Sequence, residues 1–127
     1  MTSVVLASKS PSRQAVLRAA GVAFEALGSG VDEDRVKIQL LRDGLGPREI
    51  ALRLAEAKAV SVSQARPGAI VIGADQTLDL GGSLFDKANT LAEARARLQQ
   101  LRGKPHLLHS AVAAAQDGAV IWRLLES

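Results

Sequence analysis

The residues best suited to chemistry fall in three short stretches. In Ser8-Lys9-Ser10-Pro11-Ser12-Arg13, hydroxyls and cations crowd one turn. Backbone N–H groups at a helix start favour an anion such as phosphate, and hydroxyls and cations add further contacts. The alternative is a plain capped helix with a solvated Lys9 and Arg13, but capping alone does not need both serines and both cations. In Ala69 to Lys87, AIVIGADQTLDLGGSLFDK, Asp75 appears where an apolar run ends, and a hairpin returns Asp86 and Lys87 towards it. An acid met by a returning acid and lysine points to a phosphate or metal site. A G-x-D turn with only local hydrogen bonding is the competing reading. In the third stretch, Asp32-Glu33-Asp34, the acids can start a helix, where negative charge is favoured. They can also bring a carboxylate to a metal or an attacking water. Taken alone, the helix start is the stronger reading.

The elements that must position these groups follow from the apolar pattern. Ser3 to Ala7 reads as a buried strand running directly into the serine-rich turn. Ser10 suits an N-cap and Pro11 the first helical position. Gln14 to Ala20 then has helical spacing, with Val16, Leu17 and Ala20 on one side and Gly21 as the stop. Phe24 to Leu27 reads as a short strand and Arg35 to Arg42 as a helix. A longer helix opens at Pro47-Arg48-Glu49 and extends to about Gln64. Its expected buried stripe is Ile50, Leu54, Ala57 and Val60 or Ser61, with Glu56 and Lys58 flanking it; by periodicity Lys58 is a solvent lysine.

Ala69 to Ile72, after Pro67-Gly68, reads as a buried strand that stops at Gly73-Ala74-Asp75. The crevice at the carboxyl ends of such strands is where open α/β sheets bind ligands. A second short strand, Thr77 to Leu80, turns through Gly81-Gly82 into Ser83-Leu84-Phe85. Thr90-Leu91-Ala92-Glu93 is a capping box for a helix to about Leu101. His106 to Ala115 and Ala119 to Leu125 form a hairpin around Gln116-Asp117-Gly118. His106 and His109 are three apart, so on a strand they face opposite ways. That argues against a shared metal and leaves them at the surface or behind the site. The order predicts an α/β fold, a mixed sheet flanked by helices, in a single domain over residues 1–127.

Composition narrows the functions available. The 127 residues suffice for one modest domain, and 47% apolar residues can build its core. Aromatics at 2% argue against stacked-base recognition of single strands. The absence of cysteine excludes disulfides and zinc-thiolate sites and fits a reducing cytoplasm. The net charge of +3 comes from scattered arginines offset by acids, which is no nucleic-acid stripe. No apolar run is long enough to span a membrane, and Val4-Val5-Leu6-Ala7 is too short for a signal sequence. The expected setting is the cytoplasm, with no membrane and no specific nucleic-acid partner.

Together these segments resemble the Maf family of nucleotide pyrophosphatases, once described as septum-formation inhibitors. Leu6-Ala7-Ser8-Lys9-Ser10-Pro11-Ser12-Arg13 matches its L-A-S-x-S-P-x-R opening, followed by Leu17 and Gly21-x-x-Phe24. Asp32-Glu33, Leu54-Ala55-x-x-Lys58-Ala59, Gly73-Ala74-Asp75 and Leu101-Arg102-Gly103-Lys104-x-His106 fall in the family's order. The resemblance implies hydrolysis of a nucleoside triphosphate to monophosphate and pyrophosphate with Mg²⁺ or Mn²⁺. It also implies the inosine-triphosphate pyrophosphatase fold, with a cleft between two lobes. Carried over by position, Ser8, Ser10 and Arg13 hold the phosphates, helped by Lys58 and Lys87. Glu33 and Asp75 handle the metal and the attacking water, with Asp75 as first choice for the water. Gln76 after Asp75 resembles the branch acting on 7-methyl-GTP, while an Asp-Thr pair marks the dTTP/UTP branch.

The sequence also departs from the family pattern. Ser12 stands where a second arginine is usual, and Ala88 stands where a proline usually follows the lysine. Members usually run further, into a lobe carrying a G-E-P-x-D-like segment and a glutamine, so a shortened second lobe is expected. From these departures comes the alternative of a non-catalytic nucleotide- or protein-binding remnant affecting septum formation. A shortened sheet leaves exposed edges, which predicts a homodimer.

Overall fold

The apolar run after Ser3 forms β1 (Val4–Leu6), and the serine-rich turn leads into α1 (Pro11–Ala19). The structure, a computed structural model, describes residues 3–80, 83–85 and 107–127. The expected helix from Leu91 to Leu101, together with Asp86, Lys87 and His106, lies outside the described residues. The chain continues through β2 (Glu25–Ala26), α2 (Glu33–Arg42), α3 (Pro47–Ala65), β3 (Ile70–Leu80), β4 (Ser83–Phe85), β5 (Leu107–Gln116) and β6 (Ala119–Glu126). The described strands form one mixed sheet in the order β2-β1-β3-β5-β6, with β4 paired to β3. β1 runs parallel to β2 and β3, while β5 runs antiparallel to its two neighbours, β3 and β6. The mixed α/β sheet expected from the sequence is therefore observed.

One feature of the expected strand pattern changes. The stretch from Ala69 to Leu80 is not two short strands broken at Gly73-Ala74-Asp75. It is one strand of 11 residues, because β5 pairs with it continuously from Val71↔Ala115 to Asp79↔Leu107. A backbone that is hydrogen-bonded along its whole length has no reason to turn at Gly73. The partner β1 ends earlier, with Leu6↔Ile72 the last register pair, so Asp75 still lies beyond the carboxyl end of β1. β4 pairs back on β3 from Leu80↔Ser83 to Leu78↔Phe85, while the expected turn residues Gly81-Gly82 lie outside the described residues.

The core lies between α3 and one face of the sheet. Its members are small: Ala51, Ala55 and Ala59 of α3 pack with Val5, Ala7, Val71, Ala111, Ala113 and Ala115. The buried face of α3 includes Ile50 and Leu54 as expected, with Val60 partly buried against the core, but its further fully buried residues include Ala51, Ala55, Lys58, Ala59 and Val62 and not Ala57. The reason is Gly73. A β-carbon there would lie 2.3 Å from the Ala55 carbonyl oxygen and 2.8 Å from the Ala59 amide nitrogen. Only a glycine on the strand and alanines on the helix allow backbones this close. Burial of Lys58 follows from that close approach and corrects its reading as a solvent lysine.

By contrast, α1 has no buried residue, and Val16 is 68% exposed. The Arg18 guanidinium lies over the Phe24 ring, 5.7 Å from its centroid, a cation–π contact between the helix and the start of β2. At the other end of the sheet, Asp117 and Gly118 form the β5–β6 turn with φ of 52° and 84°, the left-handed pair that a two-residue hairpin requires. Ser63 on α3 accepts a hydrogen bond from the Gly118 amide at 3.0 Å, which ties this turn to the helix.

Candidate active site

β1 and β3 are parallel neighbours, and the chain leaves them towards opposite ends of the sheet, β2 on one side and β5 on the other. The carboxyl end of β1, beside the middle of β3, is thus a switch point of the sheet, the place where such sheets bind ligands. Ala7 closes the β1–β3 ladder by donating to the Ile72 carbonyl at 2.8 Å. Ser8 follows immediately on the β1 side and Asp75 on the β3 side.

Ser8 and Ser10 are half-buried, as is Arg13. The Ser8 hydroxyl accepts from the Ser10 amide at 3.0 Å, and the Ser10 and Ser12 hydroxyls are 3.0 Å apart. Ser10 occupies the N-cap position, yet its side chain makes no capping bond, and Pro11 has no N–H to cap. Intrahelical bonding begins with the Gln14 amide donating to Ser10. The amides of the first turn are thus left to an external acceptor, as an anion-binding helix start needs.

The acids of the third stretch divide their work. Asp32 is the N-cap of α2 and accepts from the Arg35 amide at 3.2 Å. Glu33, the first helical residue, reaches instead to Lys58 on α3 and forms an ion pair through Oε1. Lys58 also donates to Asp75 Oδ1 at 3.1 Å and to the Ala74 carbonyl at 3.3 Å. Three elements distant in sequence therefore converge on one amine. Lys58 and Asp75 are buried, while the Glu33 side chain is 38% exposed. The second carboxylate oxygen of Asp75, Oδ2, is buried with no hydrogen-bond partner among the described residues.

An unpartnered buried carboxylate oxygen and a half-exposed glutamate beside it are hard donors of the kind that suit Mg²⁺ or Mn²⁺. Among the described residues no cluster of three or more such side chains exists. Two carboxylates fit a Mg²⁺-type site, in which waters and substrate phosphates complete the coordination.

Side-chain alternation places Gln76 on the face of β3 opposite Asp75. There it is exposed and donates to Ser110 Oγ at 3.2 Å. Two further residues stand behind the acid on the α3 face. Thr77 is buried and donates to the Pro47 carbonyl at 2.7 Å. His109, its register partner on β5, is buried with Nδ1 at 2.8 Å from Ser127 Oγ. His109 is thus not a surface residue. Antiparallel pairing keeps it on the same face as Thr77 and Asp75, under the helix.

The residues taken alone did not reveal Lys58, Gly73 or Thr77 as parts of the site. One signal for Lys58 was present: Ile50, Leu54 and Lys58 are four apart, so the lysine stands third in an otherwise apolar row.

A family model described as Maf-like protein matches residues 3–126. The chain is 61% identical to a nucleoside triphosphate pyrophosphatase of Caulobacter vibrioides, over 100% of its own length and 63% of that protein. It is 48% identical to a 7-methyl-GTP pyrophosphatase of Brucella abortus, over 94% of its length and 60% of that protein. The chain thus spans less than two thirds of these relatives. Among solved structures, a HAM1 protein from Coxiella burnetii matches with a TM-score of 0.59 at 17% identity, covering 98% of this chain and 68% of that one. At that identity the likeness concerns the fold.

Proposed function

The chain belongs to the Maf-like family, and on that premise we propose that it acts as a nucleoside triphosphate pyrophosphatase, releasing the monophosphate and pyrophosphate. The observation that carries this reading is the contact of Lys58 with both Glu33 and Asp75, next to the hydroxyl- and cation-bearing turn after β1. The names of the Caulobacter and Brucella relatives support it.

In this reading Ser8, Ser10, Arg13 and the first-turn amides of α1 hold the phosphates, with Lys87 as a further cation. Asp75 orients a water and takes its proton as the water oxygen bonds to the α-phosphorus. The bond from that phosphorus to its bridging oxygen breaks, and pyrophosphate leaves with the electron pair. Glu33 and Asp75 would hold Mg²⁺ or Mn²⁺, which would supply stabilisation of the charge that builds on the phosphates. Gln76, exposed on the face of β3 opposite Asp75, takes no part in these steps. The substrate class is 7-methyl-GTP, supported by the Asp75-Gln76 pair and the name of the Brucella relative.

The test is product analysis over a triphosphate panel that includes 7-methyl-GTP, with Mg²⁺ and coupled pyrophosphate detection. Monophosphate and pyrophosphate should form in equal amounts and vanish in Asp75→Asn. No Mg²⁺-dependent product above that variant would sink the proposal.

We assign the assembly as a homodimer formed through β6, the last strand of the described sheet, where Ile121 and Trp122 are about half exposed. An exposed apolar edge favours pairing. Light scattering across a concentration series should give a dimer mass that Trp122→Glu lowers. A cytoplasmic location accords with the absence of cysteine, and cell fractionation checks it.

A further inference from the structure

The ammonium of Lys58 faces three acceptors: Asp75 Oδ1 at 3.1 Å, the Ala74 carbonyl at 3.3 Å, and Glu33 Oε1. An ammonium has three N–H bonds, so every donor of Lys58 is engaged by the protein and none remains for a phosphate. The two carboxylates it joins are the same groups that suit a divalent cation. Asp75 is held from two sides, by strand pairing and by burial, and the Lys58 side chain is buried with it. Glu33 is the most exposed of the three and stands at the first position of α2. Its contact is therefore the one that a cation arriving from solvent meets first.

We infer that Lys58 is the resident cation of this site. In the nucleotide-free protein it holds Glu33 against Asp75 and offsets their charge. A divalent ion binds by displacing the amine from Glu33, and the freed amine then meets a phosphate oxygen. The inference rests on the pyrophosphatase reading of the same residues and deepens it. Lysine and metal become competitors for the carboxylates before they become partners on the substrate. The physical basis is Coulombic: a positive charge fixed beside both carboxylates opposes the arrival of another cation in a poorly screened position.

The experiment uses the nucleotide-free chain and Mn²⁺ alone. By calorimetric titration, Lys58→Gln should bind Mn²⁺ at least about tenfold more tightly than the wild type, since removing a unit charge a few ångströms away is worth that much or more. Asp75→Asn should bind it more weakly. A second measurement needs only the wild type and so does not depend on the folding of Lys58→Gln. Labelling of Lys58 by an amine-reactive ester, read by mass spectrometry, should be slow without Mn²⁺ and several-fold faster with it. Equal or weaker Mn²⁺ binding by Lys58→Gln, or labelling that Mn²⁺ leaves unchanged, overturns the inference while the pyrophosphatase reading stands. If Asp75→Asn does not change Mn²⁺ affinity, the metal does not bind at these carboxylates and the inference falls, while product analysis alone decides the pyrophosphatase reading.

Discussion

Gly73 lies directly beneath Ala55, so close that a β-carbon on the glycine would sit 2.3 Å from the Ala55 carbonyl oxygen. This contact sets the distance between α3 and β3, and that distance decides whether a lysine on the helix can reach an acid on the strand. Lys58 is three residues after Ala55 and Asp75 two after Gly73, on the facing sides of the two elements. A wider gap would leave the amine short of Asp75, whose Oδ1 it now meets at 3.1 Å.

Gly73→Ala should therefore harm both stability and chemistry. The clash is with helix backbone, which cannot rotate aside as a side chain can, so α3 must lift. Overpacking of this kind costs about 1–3 kcal/mol, measurable by urea denaturation. An ångström-scale displacement of Lys58 from Asp75 should also lower turnover by about 10²-fold. Wild-type kinetics in a folded Gly73→Ala variant would show that the close approach does not position the site.

Asp75→Asn keeps the shape of the side chain and removes its capacity to accept a proton. Turnover should fall by about 10²–10⁴-fold, the usual contribution of a positioned base. The far-ultraviolet circular dichroism should be unchanged, because the backbone pairing of β3 with β5 does not depend on the carboxylate. The informative comparison is product formation against fold content in one preparation.

Asp32 and Glu33 should separate cleanly. Asp32→Ala removes the side-chain acceptor of the Arg35 amide and should cost about 1 kcal/mol of stability, with turnover nearly unchanged. Glu33→Gln leaves the cap intact and should instead weaken Mn²⁺ binding and turnover, with little effect on thermal unfolding because the glutamate is substantially exposed. Reversed effects would mean that the two neighbouring acids have been assigned the wrong roles.

Thr77→Val should act through stability alone. The substitution is close to isosteric but removes the hydrogen bond that the buried Thr77 hydroxyl donates to the Pro47 carbonyl at 2.7 Å, leaving that carbonyl its helical bond alone. The loss of one such hydrogen bond costs about 0.5–1.5 kcal/mol. Denaturant unfolding should shift accordingly while the KM for the triphosphate stays near that of the wild type. A raised KM with unchanged stability would place Thr77 in substrate binding.

Local chemistry made much of this fold legible. Pro11 and Pro47 mark helix starts because a missing N–H costs nothing there, and both open the helices observed. Asp117-Gly118 forms the hairpin turn because both positions adopt positive φ, and the alternation on either side gives β5 and β6. The serine-rich turn after β1 and an acid beyond its end were likewise visible as residue types in order.

What the sequence determined by itself was which groups exist and which local elements carry them. Only the tertiary structure decided which of them meet. Glu33, Lys58 and Asp75 are far apart in the chain, and no short-range periodicity links them. Their meeting depends on β5 holding β3 straight through Asp75, and on Gly73 drawing the Lys58 side of α3 onto the sheet. Close packing of backbone against backbone is a property of two surfaces, so neither segment encodes it alone.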